Sequence, residues 1–204
     1  MTPEVVSIVI VGVGGQGILL GTQVAARAAL AAGFDVKTNE VHGMAQRGGS
    51  VIAQIRWGER VYSPLVPDGT ARALASLERI EALRFARFLA PDGLAVVSTQ
   101  AIVPVTASSG RGPKYPPDAE ERLRKVFPRL LYVDAISIAE RLCEPRTANI
   151  VLLGALSTAL PLAVGHWHEA IAASVKPAFR EVNVKAFDEG RALAGQTPAA
   201  GGGR

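Results

Sequence analysis

The chain has 204 residues, enough at about 150 residues per domain for one domain with a short extension, and large enough to bury a core without a metal or disulfide staple. Its 49% hydrophobic and 20% charged content excludes a disordered chain, and its single cysteine, Cys143, excludes a disulfide framework and any cysteine-ligated iron–sulfur cluster or Cys-rich zinc site held by this chain alone. The 22 basic and 18 acidic residues are scattered and give a net charge of +4, and aromatics are few (6 Phe, 3 Tyr, 2 Trp), so no nucleic-acid partner is expected.

The opening Met-Thr-Pro-Glu carries no basic n-region, so no secretory signal is expected. Val5 to Val11 is a continuous β-branched run, as in a strand buried on both faces. Gly12-Val13-Gly14-Gly15-Gln16-Gly17 follows at once, and Ile18 to Ala32 reads as a helix with six alanines between Ala25 and Ala32, stopped by Gly33. Phe34 to Thr38 is short and β-prone, which makes residues 5–38 one strand–helix–strand unit. Glu40 to Ser50 is polar and glycine-rich and reads as irregular. Val51 to Trp57 alternates like a strand with one solvated face, and Arg60 to Ser63 like a short edge strand closed by Pro64 and Pro67.

Ala73 to Leu89 has helical spacing of Leu74, Leu77, Leu83 and Phe88, and ends at the Pro91-Asp92-Gly93 turn signal before a strand at Leu94 to Ser98. Ser108 to Pro117 is a loop. Asp118 to Phe127 is a polar helix with Asp118 at its N-cap, Leu130 to Asp134 a strand, and Ile136 to Leu142 a short helix. Ala148 to Gly165 is 18 residues without a charge, but Asn149, Gly154, Ser157, Thr158 and Pro161 interrupt it. It reads as a buried helix over Asn149 to Leu160 and not as a membrane span, so no membrane partner and a cytoplasmic location are expected. Trp167 to Val175 and Glu181 to Leu193 are amphipathic helices, and residues 196–204 a flexible tail. The alternation predicts an α/β protein: a single Rossmann-like, three-layer domain over residues 1–195 with a mostly parallel sheet.

Two glycine motifs carry the chemistry. In the first, Gly12, Gly14, Gly15, Gln16 and Gly17 lie between a strand and a helix, where backbone N–H groups and the positive helix end suit a phosphate. Gly12 and Gly14 are expected to serve the tight turn, Gly14 at positive φ, and Gly17 the packing of helix on strand. Glu40 lies at an acceptable distance for a nicotinamide ribose, but it opens a second glycine-rich loop, which that design lacks. In the second motif, His42, Gln46, Arg47, Gly48, Gly49 and Ser50 place an arginine fork between glycines, suited to phosphate or carboxylate. Arg111 and Lys114 lie on a loop suited either to closing over an anionic ligand or to solvent. His166 and His168 read as a surface pair for which no third metal ligand appears, and Cys143 as a small, at least half-buried hydrophobe.

The stretches Val9 to Ile18 and Glu40 to Ser50 resemble the gamma-type subunit of the 2-oxoacid (pyruvate, ketoisovalerate, indolepyruvate) ferredoxin oxidoreductases, within that family most of all the small subunit of the indolepyruvate type. Leu77-Glu78 to Glu81-Ala82-Leu83-Arg84, Asn149 to Ala155 and Asn183 to Phe187 support the resemblance, which covers roughly residues 5–193. One departure is Arg72, where related chains often carry an acid.

The resemblance implies an oxidoreductase that is active only as part of a heteromer. A large partner subunit would carry thiamine diphosphate, magnesium and iron–sulfur clusters. A 2-oxoacid, here an arylpyruvate such as indolepyruvate, would be oxidatively decarboxylated to an acyl-CoA with electrons passed to ferredoxin or another acceptor. This chain would wholly bind none of these cofactors. It would shape the active site and cradle the phosphates of coenzyme A as co-substrate. Two other readings stay open: a stand-alone NAD(P)-binding dehydrogenase, and a non-catalytic nucleotide-binding assembly module.

Overall fold

A computed structural model describes residues 5–43, 48–103 and 114–195. The tail expected at 196–204 lies outside them. Six strands form one sheet in the order β2-β3-β1-β4-β5-β6. They are β1 (Val6–Val13), β2 (Asp35–His42), β3 (Ser50–Gly58), β4 (Ala71–Ser76), β5 (Leu89–Ser98) and β6 (Leu130–Val133). The pairs β1–β4, β4–β5 and β5–β6 are parallel, while β3 runs antiparallel to both β1 and β2. The α/β, mostly parallel expectation therefore holds, with an antiparallel strand inserted between β1 and β2.

All eight residues of β1 are buried. Their alternation serves two cores: Ile8 and Ile10 face a cluster with helix α1 (Ile18–Ala31), while Val9 and Val11 face one built with Leu74, Val97, Leu123 and Phe127. Helices on both faces make the three layers. The first core also takes α4 (Ala135–Arg141), α5 (Ala148–Ser157), α6 (Val164–Ser174) and α7 (Arg180–Gly195). The second lies under α2 (Arg79–Arg84) and α3 (Ala119–Val126). Helix α5, buried along its whole length, crosses α7 at backbone contact. A Cβ on Gly154 would stand 2.0 Å from the Phe187 carbonyl oxygen, and one on Gly190 1.9 Å from that of Val151. No helix among the described residues is long and apolar enough to cross a membrane.

Several local expectations are corrected. The helix predicted from Ala73 to Leu89 is strand β4, then the six-residue α2 and a 3-10 turn at Ala86–Phe88. Ala73 and Ala75 point to one core and Leu74 to the other, so tertiary burial overrides alanine's helix propensity. The Pro91-Asp92-Gly93 turn is an irregularity inside β5: Ala71 faces Leu89 and Ala73 faces Leu94, so five residues of β5 span a step that two of β4 cover. Strand β3 is buried on both faces, because residues 59–70 fold back over it as an irregular cover and not as an edge strand. Gln54 Oε1 accepts from Val66 N–H (2.6 Å), and Arg56 donates to the carbonyls of Ser63 (3.0 Å) and Leu65 (3.1 Å). The edge strand on this side of the sheet is β2, which takes up Glu40, Val41 and His42 from the segment read as irregular.

Helix ends follow local chemistry. Gly33, at φ 86°, stops α1 as expected. Asp134 caps α4 by accepting from Ser137 N–H (3.1 Å). Asp118 does not cap α3 with its side chain, which instead pairs with Arg122 (2.9 Å). Cys143 is exposed and not buried as expected. It sits at φ 58° past the end of α4, where its N–H reaches Glu140 O (2.9 Å) and that of Glu144 reaches Ala139 O (3.1 Å). This is the two-bond helix stop that usually employs glycine. Arg72 donates to the carbonyl of Ala159 (2.7 Å), and His168 pairs with Asp188 (2.8 Å).

Candidate functional site

The parallel strands β1, β4, β5 and β6 all end on one edge of the sheet, and the antiparallel β3 begins there. The chain leaves β1 toward one side of the sheet and β4 toward the other, the switch point at which α/β proteins commonly hold ligands. The two glycine motifs, far apart in sequence, meet at this edge. Ser50 pairs with Val13 across β3–β1. Gly14 N–H donates to Gly49 O (2.8 Å), and Gly43 N–H donates to Ser50 O (2.9 Å).

Within the first motif the glycines divide differently from expectation. Positive φ falls at Gly15 (102°) and Gly17 (80°), and Gly14 is not among the positive-φ glycines. A Cβ at Gly15 would meet open space, and the residue is exposed. Gly17 is the left-handed N-cap of α1, and its close neighbour is not the strand but Asn149 of α5. A Cβ there would lie 2.5 Å from Asn149 Nδ2, which donates to Gly17 O (2.9 Å). Gly12, buried in β1, leaves room for Gln16: a Cβ would stand 2.7 Å from Gln16 Oε1 and 3.1 Å from Leu77 Cβ.

Gln16 ties three strand ends together. Its Oε1 accepts from Val13 N–H (2.7 Å), and its Nε2 donates to Leu77 O (2.8 Å) and to Gln100 Oε1 (2.7 Å). With its amide engaged on both sides, Gln16 shapes the turn.

In the second motif, His42 ends β2 and is exposed, Gly48 sits at φ 75°, and Ser50 opens β3. Ser50 Oγ donates to Glu81 Oε2. Gln46 and Arg47 lie outside the described residues, as does Arg111. Lys114 is exposed.

Four residues of this edge are not among the site residues expected from the sequence: Glu78, Glu81 and Asn149, which lie in stretches that carry the family resemblance, and Gln100. Glu78 and Glu81 are the only buried acids among the described residues. Burial pushes the Glu81 carboxyl above its usual range, against the pull of the Ser50 hydroxyl and Arg84. Glu78 caps α2 and accepts from Tyr115 (2.5 Å), whose hydroxyl is raised well above its usual value by burial and by that carboxylate. An acid directly before a helix with a second acid three residues on is a helix-start signature that could have signalled the end of β4. The lone amide in the apolar run 148–157 could have marked Asn149 as a contact.

The fold and site define an α/β, Rossmann-like domain whose two glycine motifs join at the C-terminal strand edge. The particular family is settled by comparison. Residues 7–193 match the family model described as pyruvate ferredoxin/flavodoxin oxidoreductase, and the chain belongs to that family. It is 42% identical over 200 residues to a curated relative from Archaeoglobus fulgidus named indolepyruvate oxidoreductase subunit IorB, covering 95% of this chain and 98% of the relative. It is 43% identical to the protein of the same name from Pyrococcus horikoshii, covering 90% and 93%. Among solved structures, the gamma subunit of a keto/oxoacid ferredoxin oxidoreductase from Geobacter sulfurreducens shares the fold, with a TM-score of 0.69 at 23% identity over 94% of this chain and 99% of that one.

Proposed function

We propose that this chain is the small subunit of an indolepyruvate-type (arylpyruvate) 2-oxoacid:ferredoxin oxidoreductase, working in the cytoplasm as one domain over residues 1–195. The observation that carries this reading is the end-to-end match, 42% identical over nearly the whole of both chains, to a relative of that name. The reaction converts a 2-oxoacid and coenzyme A to an acyl-CoA and carbon dioxide, with two electrons passed to ferredoxin or another acceptor. Thiamine diphosphate supplies the carbanion chemistry when bound.

The donor groups of this chain support a division of labour. A cysteine-held iron–sulfur cluster takes a set of thiolates, and the chain has one cysteine, used as a helix stop. The described residues hold no group of three His, Cys, Asp or Glu suited to a metal ion. In this reading clusters, magnesium and the bulk of the thiamine site belong to the large partner subunit. For the phosphate groups of coenzyme A this reading uses the open backbone at Gly15, at the positive end of the 14-residue α1, between Gly14, held by Gly49, and Gly17, packed on Asn149. Exposed His42, at the end of β2, is assigned to the side that faces the partner.

A stand-alone NAD(P) dehydrogenase is disfavoured by strand order. In that design the ribose-binding acid ends the strand next to β1, but here β3 lies between β1 and β2, which carries Glu40. The experiment is co-expression with the large subunit, followed by 2-oxoacid- and CoA-dependent reduction of a viologen dye. The complex is expected to turn over and the single chain to be silent. Turnover by the single chain overturns the subunit reading, and equal turnover by the large subunit without it reduces the chain to an assembly module.

A further inference from the structure

Two acids of α2 and its cap, Glu78 and Glu81, are 2% and 5% exposed. Glu78 is fully accounted for. One oxygen accepts from the N–H groups of Ile80 (2.7 Å) and Glu81 (3.1 Å), and the other from Ile102 N–H (3.2 Å) and the Tyr115 hydroxyl (2.5 Å). Glu81 is not. Its Oε2 accepts from the Ser50 hydroxyl, and its Oε1 faces Arg84 Nε at 3.4 Å, on a side chain 55% exposed. One neutral hydroxyl and one long, solvated ion pair leave a buried carboxylate under-compensated, which costs the fold stability.

What Glu81 holds explains why it stands there. Ser50 is where the two motifs join: it pairs with Val13, its carbonyl receives Gly43 N–H, and the neighbouring Gly49 carbonyl receives Gly14 N–H. Helix α2 follows directly from the end of β4, on the side of the sheet opposite the helix that the glycine turn opens. We infer that Glu81 is a positioning residue of the glycine edge: by gripping Ser50 it fixes the head of β3 against the Gly14–Gly17 turn, and so the spacing of the backbone groups offered to a phosphate-bearing co-substrate. The inference rests on the reading that this edge faces such a co-substrate. Glu81 touches no reacting atom in this role. It acts through Ser50, and the chain accepts a destabilising buried charge in return for a fixed edge.

The test uses the full chain in complex with its large subunit, in the variants Glu81→Gln, Glu81→Ala, Ser50→Ala and the double Ser50→Ala/Glu81→Ala. The readouts are kcat and KM for CoA and for the 2-oxoacid, Tm, and amide hydrogen exchange across Val13–Gly17. Glu81→Gln keeps the acceptor and loses the buried charge, so its Tm is expected to rise at neutral pH with kinetics within about threefold of the parent. Glu81→Ala and Ser50→Ala are each expected to raise the CoA KM about tenfold or more, and to speed exchange at the turn to the same degree. The double variant should be no worse than the worse single one, because both remove one contact.

Kinetics and exchange unchanged in the two alanine variants, or losses that multiply in the double, overturn the inference. So does a Glu81→Ala chain that loses Tm while its folded fraction keeps the parent KM, the signature of a purely structural acid. If the parent complex reduces no dye, the activity reading fails, and the exchange measurement still decides whether Glu81 holds the turn.

Discussion

Replacing Gly17 and Gly15 by alanine, one at a time, separates backbone strain from tertiary contact at the glycine turn. Both sit at positive φ, 80° and 102°, so each alanine carries a strain of about 1–3 kcal/mol. Only at Gly17 does the new methyl also collide, 2.5 Å from Asn149 Nδ2, with the bond from that amide to Gly17 O at stake. Losing a largely buried amide bond costs about 1–3 kcal/mol more. Gly17→Ala should therefore fall below Gly15→Ala by about 2 kcal/mol, or roughly 4–8 °C in Tm for a chain of this size. Thermal melts followed by circular dichroism measure it. The cycle with Asn149→Ala checks the cause, since shortening Asn149 removes the collision and the double variant should cost less than the sum of the singles. Equal melting of the two glycine variants, or full additivity with Asn149→Ala, would refute a contact between the turn and α5. Gly15→Ala, whose methyl enters open space, should be the more damaging of the two to the CoA KM of the assembled complex, measured well below either Tm.

Cys143→Gly relieves a left-handed non-glycine residue at the end of α4 and should raise stability by about 1 kcal/mol, roughly 2–4 °C, in the same melts. Gly154→Ala places a methyl 2.0 Å from the Phe187 carbonyl and must push α5 from α7; a loss of at least about 3 kcal/mol is expected in denaturant titration. The Glu81 carboxyl is raised by burial in the fold, so its contribution is most favourable below the unfolded value and is lost as pH rises through the folded value. Glu81→Gln should then be more stable than the parent at pH 8, and the gap should close toward pH 4; a gap independent of pH would exclude the buried charge as its source. Arg47→Lys should weaken CoA or 2-oxoacid kinetics of the complex more than tenfold through loss of the planar fork, whereas Arg111→Lys stays within about twofold.

The elements whose signals are local were legible in the residues alone. The β-branched run of β1 needs burial on both faces, Gly33 ends α1 because only a left-handed residue closes that helix, and the uncharged run around Ile150 can only be a buried helix. The residues also marked both glycine motifs, since a turn at positive φ and an arginine between glycines are properties of the chain itself. Tertiary structure alone decided the rest. Ala71 to Ser76 is a strand because it lies between β1 and β5, where small side chains let helices close over both faces, and no local preference of alanine says so. The insertion of β3 between β1 and β2 is a pairing choice between distant segments, and it is what carries Gly49 and Ser50 to Gly14. The roles of Gln16, Glu81 and Asn149 depend on partners 31 to 132 residues away, Gln100, Leu77, Ser50 and Gly17. A side chain's own chemistry fixes what it can bond to, but only the folded chain brings a particular donor within three ångströms of a particular acceptor.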